Sequence, residues 1–187
     1  MLIEIPNFLP ITLQNHLESH VTSTVFPWFF IGDVTREFYE KSSYHRSGFH
    51  HTPFLDGVPL SKEYDQIIFL PHYIKAVLNN ERLLLQRIRY GMNMRSDDKD
   101  LYNTPHIDFP DDFKLKHYTA LYYVNDSDGD TFIFNEKTRS EEYTIHRRIS
   151  PEKGKLCIFD GEHFHSSSFP RTSDYRIVLT LNLYEPS

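Results

Sequence analysis

The chain holds one cysteine, Cys157, in 187 residues, so no internal disulfide can form. That fits a reducing compartment, and a cytoplasmic location is the expectation. No apolar run approaches the roughly 18 residues of a membrane-spanning helix, so no membrane partner is expected. The opening residues, Met1-Leu2-Ile3-Glu4-Ile5-Pro6, lack the basic flank and cleavage site of a signal peptide. There is no basic block either. The formal charge is −6, and a nucleic-acid partner, which wants a cationic stripe, is not expected. Glycine is sparse, at 7 residues, which argues against a flexible low-complexity chain. What the sequence does have is aromatic residues: 12 Tyr and 15 Phe, a composition that favours strands. The length fits one domain, residues 1–187. Within it, 1–81 reads as a helical and irregular part and 82–187 as a β core.

Pro10 to Val21 reads as a short helix, with Leu13, Leu17 and Val21 recurring every fourth residue. Residues 26–54 are irregular and rich in aromatics and histidine, and read as loops and short strands. Ser61 starts a second helical pattern carrying Ile67, Leu70, Ile74, Val77 and Leu78 on one stripe. Pro71 interrupts it, which predicts a kink or two consecutive helices. From Glu81 onward, strand-like runs cover 82–90, 103–108, 117–124, 131–135, 142–149, 155–160, 163–168 and 175–184. Turn signals separate most of them, among them Asp126-Ser127-Asp128-Gly129-Asp130 and Asp160-Gly161. Short strands with no helices between them predict a sandwich or jelly roll. The fold expected is α+β, mainly β, with the N-terminal helices buttressing one sheet. In the last run, Ile177, Leu179, Leu181 and Leu183 make the face expected under the helices. Arg176, Val178, Thr180 and Asn182 make the face expected to look into a cavity.

His106-Ile107-Asp108 carries the chemistry. In an extended chain residues i and i+2 share a face, so the imidazole and carboxylate stand side by side. A third ligand from a distant strand makes the two-histidine, one-carboxylate set of non-haem Fe(II) oxygenases, with open positions for co-substrate and dioxygen. His163 and His165 compete for that place. With 11 histidines and 26 acidic residues in the chain, H-x-D alone arises easily by chance. Its surroundings give it weight. Tyr90 and Tyr123, on faces that would line the barrel, and Arg176 are the groups needed to hold a keto dicarboxylate. Arginine supplies a planar fork of donors for the far carboxylate. Asp126-x-Asp128-x-Asp130 has the start of a calcium loop but lacks its Gly and late Glu, and reads as a polar turn. Cys157 lies in the run Leu156-Cys157-Ile158-Phe159 and reads as a buried small hydrophobe. His45, His50 and His51 read as loop histidines near the cavity mouth.

Several of these segments together resemble the iron- and 2-oxoglutarate-dependent dioxygenases, and among them the prolyl-4-hydroxylase-like branch. They are Tyr90-Gly91, His106-x-Asp108, Leu121-Tyr122-Tyr123-Val124-Asn125, Gly129-Asp130-Thr131-x-Ile133-Phe134, Phe159-Asp160-Gly161, His165 and Arg176. The resemblance covers roughly residues 82–184 and implies a double-stranded β-helix, a jelly-roll variant. It implies Fe(II) bound by His106, Asp108 and His165, and 2-oxoglutarate bound through Arg176 with Tyr90 and Tyr123. His165 is preferred over His163 because it lies 11 residues before Arg176, close to the family's usual spacing. Thr180 and Asn182 are further candidates on the Arg176 face. The implied reaction hydroxylates a substrate C–H bond and releases succinate and CO2, with ascorbate as a supporting reductant. A peptidyl proline is the substrate the nearest branch suggests, with other peptides, free amino acids and small metabolites beside it. Nucleic-acid demethylases of this kind usually carry a second Arg six residues after the first, where this chain has Asn182. Two departures are Asp130, where the family commonly has a second Gly, and Val178, where a small residue is usual. A second reading is a cupin-like metal-binding or isomerase protein without redox chemistry. A third is an interaction module that has lost turnover.

Overall fold

The computed structural model describes residues 1–32, 47–97, 101–110 and 112–187. His45 lies outside them. The strands are β1 (Leu2–Ile5), β2 (Phe29–Ile31), β3 (Gly48–Leu55), β4 (Val58–Pro59), β5 (Leu84–Met94), β6 (His117–Tyr123), β7 (Thr131–Phe134), β8 (Ile145–Ile149), β9 (Leu156–Asp160), β10 (His165–Ser167) and β11 (Tyr175–Tyr184). Two α-helices, α1 (Ile11–Val21) and α2 (Leu70–Val77), precede the main strands. A 3-10 turn at Lys62–Tyr64 stands before α2, and Pro71 sits in the first turn of α2, where its missing N–H costs nothing. The proline thus divides the second helical pattern into two pieces, as its position predicts.

The strands form two antiparallel sheets. The large one runs β1-β9-β6-β11-β5-β3-β2, with β4 paired to β3, and the small one runs β10-β7-β8. This is the mainly-β jelly-roll arrangement expected of 82–184, with two differences. First, the N-terminal part adds strands to both edges: β1 pairs with β9, and β3 pairs with β5. The β3 register shifts between His51 and Phe54, where Pro53 has no N–H to give the ladder. That bulge broke the alternation on which strand recognition depends. Second, the expected strand over 103–108 is reduced to a single antiparallel bridge, His106 to His165. Pro105 and Pro110 flank it and remove the donors that a longer ladder needs.

The helices cover the outer face of the large sheet. Leu17 and Val21 of α1 and Leu70 and Ile74 of α2 join Ile88, Tyr90, Tyr118, Ala120, Tyr122, Leu179, Leu181 and Leu183 in one apolar cluster. A second cluster lies between the sheets: Leu121, Tyr123, Ile133, Ile149, Cys157, Phe159 and Val178. So β11 sends its aliphatic face under the helices and its mixed face toward the small sheet. That division opens a cavity between the sheets, lined from β11 by Arg176, Val178 and Thr180.

Candidate active site

His106 and His165 are held by paired backbone bonds, N–H to carbonyl in both directions, at 3.0 and 2.9 Å. Their rings lie 4.6 Å apart. The Nδ1 of His106 faces the Thr104 carbonyl at 3.2 Å, and the Nδ1 of His165 faces the His163 carbonyl at 3.3 Å. With Nδ1–H donated there, each Nε2 keeps its lone pair for a ligand. Asp108 completes the group. The ligand atoms of His106, Asp108 and His165 lie within 4.8 Å of one another, and among the described residues no other such group of three occurs. Among the described residues no further histidine joins this trio, whereas a cupin-like site would bring more.

Asp108 is clamped by side chains from three strands. Arg87 of β5 donates through Nη2 to Oδ1 at 3.0 Å. Asn182 of β11 and Thr119 of β6 donate to Oδ2 at 2.8 and 3.1 Å. Arg87 Nε donates in turn to Asn182 Oδ1 at 3.0 Å, closing a ring. Burial works against the Asp108 charge, but His165, Arg87 and His106 together with the Asn182 bond outweigh it and hold the carboxyl below its usual range. Burial lowers His165 to about 4 despite the Asp108 charge beside it. Both effects favour the protonation states a metal needs: anionic carboxylate, neutral imidazole.

His163 does not join them. Its Nδ1 faces the Phe134 carbonyl at 2.8 Å and its ring stacks on His146. It precedes β10 in a bend, so the shared face that an i, i+2 spacing gives in a strand does not apply.

Across the cavity, Arg176 is buried on β11. Its Nη2 donates to Thr131 Oγ1 at 2.8 Å, and its guanidinium lies 5.8 Å from the Tyr123 ring centroid. A Cβ on Gly129 would come within 2.9 Å of the Arg176 Cδ, so glycine is what lets the arginine lie there. Tyr123 O–H donates to the same Thr131 oxygen at 2.9 Å. Burial pushes the phenol up, partly offset by Arg176, so Tyr123 stays a donor. With Thr131 accepting twice, its own proton is left to give to a ligand in the cavity. Arg176 Nε, buried, finds no partner among the described residues. A buried guanidinium with an unfilled donor asks for an anion, and the residues therefore fit a carboxylate here as they fit a metal at the trio.

The expectation of two phenols in the cavity is corrected. Tyr123 stands one layer behind, supporting Thr131 and Arg176. Tyr90 faces the other way, into the cluster under the helices, against Phe26 at 5.1 Å between ring centroids. On β5 it is Arg87, Arg89, Gly91 and Asn93 that line the cavity. The apolar alternate of that strand is drawn to the helix-covered side, and its polar alternate is left for the interior. Thr131, Arg87 and Thr119 were missed as site residues; only the Gly-x-Thr segment gave a signal for the first. His51 lies beside Tyr90 and bonds Ser61 at 2.7 Å, so it belongs to this packing and not to the cavity. The three acids of the calcium-like segment point apart. Asp128 accepts the backbone N–H groups of Arg171, Thr172 and Ser173, Asp126 accepts that of Lys153, and Asp130 pairs with Arg148. They pin loops together, as a polar turn does.

The sequence model of the 2OG-Fe(II) oxygenase superfamily matches residues 90–184, just over half the chain. The protein belongs to that superfamily. No curated protein matches this oxygenase in sequence. Solved structures do match in fold. A Pseudomonas putida prolyl-4-hydroxylase shares 16% identity at a TM-score of 0.61, over 100% of this chain and 93% of that one. A Trichoplax adhaerens prolyl hydroxylase, solved with a hypoxia-inducible-factor peptide, gives 16% and 0.65 over 98% and 83%. The epimerase SnoN from nogalamycin biosynthesis gives 13% and 0.69 over 98% and 78%, and is also solved with Fe3+ and alpha-ketoglutarate. Among the described residues of the oxygenase, no helix is long and apolar enough to cross a membrane.

Proposed function

We propose that this oxygenase hydroxylates a C–H bond of a peptide or small-molecule substrate, with conversion of 2-oxoglutarate to succinate and CO2. A peptidyl proline is the first substrate to test, because two of the structural neighbours are named prolyl hydroxylases. In this reading His106, Asp108 and His165 hold Fe(II), and Arg176 with Thr131 holds the far carboxylate of 2-oxoglutarate. The observation that carries it is the facing of a confined metal trio and a buried arginine with an unfilled donor across one cavity. Iron with 2-oxoglutarate and dioxygen supplies the oxidising chemistry when bound, with ascorbate as a supporting reductant.

The chain's own residues bind, orient and exclude water. The backbone pair and the two Nδ1 contacts fix both imidazoles. Arg87, Asn182 and Thr119 fix the carboxylate, leaving little freedom to reorganise on metal binding. Tyr123 holds Thr131 and backs Arg176 from the dry side. Leu121 and Val178 give the cavity lining its apolar surface beside the polar groups. The reading keeps the cytoplasmic location expected from the sequence.

Four measurements test the reading. Anaerobic addition of Fe(II) and 2-oxoglutarate should give a weak visible charge-transfer band, absent in His106→Ala. With a prolyl peptide, succinate release should fall at least about 100-fold in His106→Ala, since a ligand loss exceeds the 10–100-fold typical of outer-shell changes. Arg176→Ala should weaken 2-oxoglutarate binding far more than iron binding. A band undiminished in His106→Ala removes the proposed metal site. Product mass decides the outcome on the substrate: one oxygen gained marks a hydroxylase, unchanged mass an epimerase.

A further inference from the structure

At its Arg176 end the cavity has a hydroxyl that the proposed binding of 2-oxoglutarate does not use. Ser167 of β10 lines the cavity and lies directly across from Thr131 in the β7–β10 pairing. Asn93 of β5 lines it too, directly across from Arg176 in the β5–β11 pairing. Side chains opposite one another in a ladder stand about 5 Å apart at Cβ, close enough to share one ligand. Hydrogen bonds tie the set together. Arg176 donates to Thr131 at 2.8 Å, and Asn93 Nδ2 donates to Ser167 Oγ at 3.3 Å. Four strands thus bring four polar side chains around one end of the cavity.

Ser167 is prepared as Thr131 is. Asn103 Nδ2 also donates to Ser167 Oγ, at 3.3 Å, so two amides fill the acceptor sites of the hydroxyl. Both asparagines are buried. The serine backbone is fixed as well. Asn103 N–H donates to the Ser167 carbonyl at 2.8 Å, and Ser168 N–H donates to the Asp130 carbonyl at 2.9 Å. What is left to Ser167 is its proton, and among the described residues nothing accepts it. Thr131 is in the same state, with its acceptor sites taken by Arg176 and Tyr123. This end of the cavity therefore presents three donors: two hydroxyls and a guanidinium. A carboxylate suits them, because it has two oxygens, several lone pairs and no proton. A methyl group there would leave buried donors unmet, which is costly. Two residues of strand, about 7 Å, separate Ser167 from His165, so the hydroxyl stands along β10 from the metal trio, beside Thr131.

We infer that Ser167 donates its hydroxyl proton to the far carboxylate of 2-oxoglutarate and so helps the site select a keto acid with a carboxylate at that end. Asn93 and Asn103 are the residues that position it. This rests on the oxygenase reading of the site and adds a donor from β10 to Arg176 and Thr131.

Binding to the Mn(II)-loaded protein, followed by calorimetry, tests this without turnover. The probes are 2-oxoglutarate and 2-oxopentanoate, which has a methyl in place of the far carboxylate. Ser167→Ala should weaken 2-oxoglutarate about tenfold or more, the usual worth of a hydrogen bond to a charged group. It should change 2-oxopentanoate, which cannot accept that bond, by less than about threefold. Ser167→Thr keeps the hydroxyl and should keep most of the affinity. Asn93→Ala loosens the hydroxyl without removing it, and should give a smaller loss, again confined to 2-oxoglutarate. A serine that only supports the fold would lower both ligands together, and that result overturns the inference. If Ser167→Ala does not fold, Asn93→Ala carries the same comparison: a loss confined to 2-oxoglutarate supports the inference, and equal losses or none overturn it. Arg176→Ala, measured alongside, separates the two readings. Affinity for 2-oxoglutarate that falls in Arg176→Ala but not in Ser167→Ala overturns this inference alone. No fall in Arg176→Ala, or no binding to the unaltered protein, removes the oxygenase reading and this inference with it.

Discussion

On one face of β5, Arg87, Arg89, Gly91 and Asn93 look into the cavity between the sheets. On the other, Ile88 and Tyr90 lie in the cluster shared with the helices. The two sets are interleaved residue by residue, yet one face is polar and carries chemistry while the other is apolar and carries stability. β11 repeats the pattern, with Arg176, Thr180 and Asn182 against Ile177, Leu179, Leu181 and Leu183. A jelly-roll strand buried on both sides can thus be read only when it is known which side the helices cover.

The contrast can be broken most forcefully on the stability face. Leu181→Ala should cost about 2–5 kcal/mol in urea unfolding, the usual range for a buried leucine cavity. The folded fraction should keep its Mn(II) and 2-oxoglutarate affinity. Next is the chemical face. Asn182→Ala removes the bond to Asp108 Oδ2 and the partner of Arg87 Nε, and should lower metal affinity about 10–100-fold by titration. Stability should change much less than in Leu181→Ala. Equal stability losses for the two would erase the division.

A third expectation concerns pH. Burial, with the Glu4 charge nearby, pushes the Cys157 thiol from 9.0 up to about 12. A raised pKa means the folded state holds the proton more tightly than the unfolded one. Its contribution is full below pH 9 and is lost as pH rises from there through about 12. Cys157→Ser should flatten that part of the stability curve. At pH 8 a thiol reagent should label the native protein only as fast as it opens.

The smallest effect expected is the sharpest on orientation. The Tyr90 hydroxyl is buried with no partner among the described residues, and Tyr123, its supposed companion, bonds Thr131. Tyr90→Phe should therefore change stability by no more than about 1 kcal/mol, in the stabilising direction, and leave 2-oxoglutarate affinity unaltered. A marked loss of affinity would mean the tyrosine reaches the cavity after all.

Much of the molecule is legible in the sequence because local rules wrote it. Leu13, Leu17 and Val21 wrote α1, Pro71 wrote the break before α2, and the turn residues around Asp126 and Asp160 separated the strands. The segments between strands were legible for the same reason, and so was the fold class. β3 was not, because the bulge at Pro53 interrupts its alternation. Nor was the near-loss of the 103–108 strand, where two prolines leave one bridge.

The site divides in the same way. The order His106, Asp108, His165, Arg176 along the chain picks out the trio and the buried arginine, since each is a residue type with a chemical role of its own. Which neighbours serve them was settled by packing. Asp108 finds Arg87, Thr119 and Asn182 because three strands far apart in sequence lie side by side in one sheet. Tyr90 leaves the cavity because apolar helices claim its face. Residue chemistry is written in the chain, whereas the direction in which a doubly buried strand points its two faces depends on what the rest of the protein places above and below it.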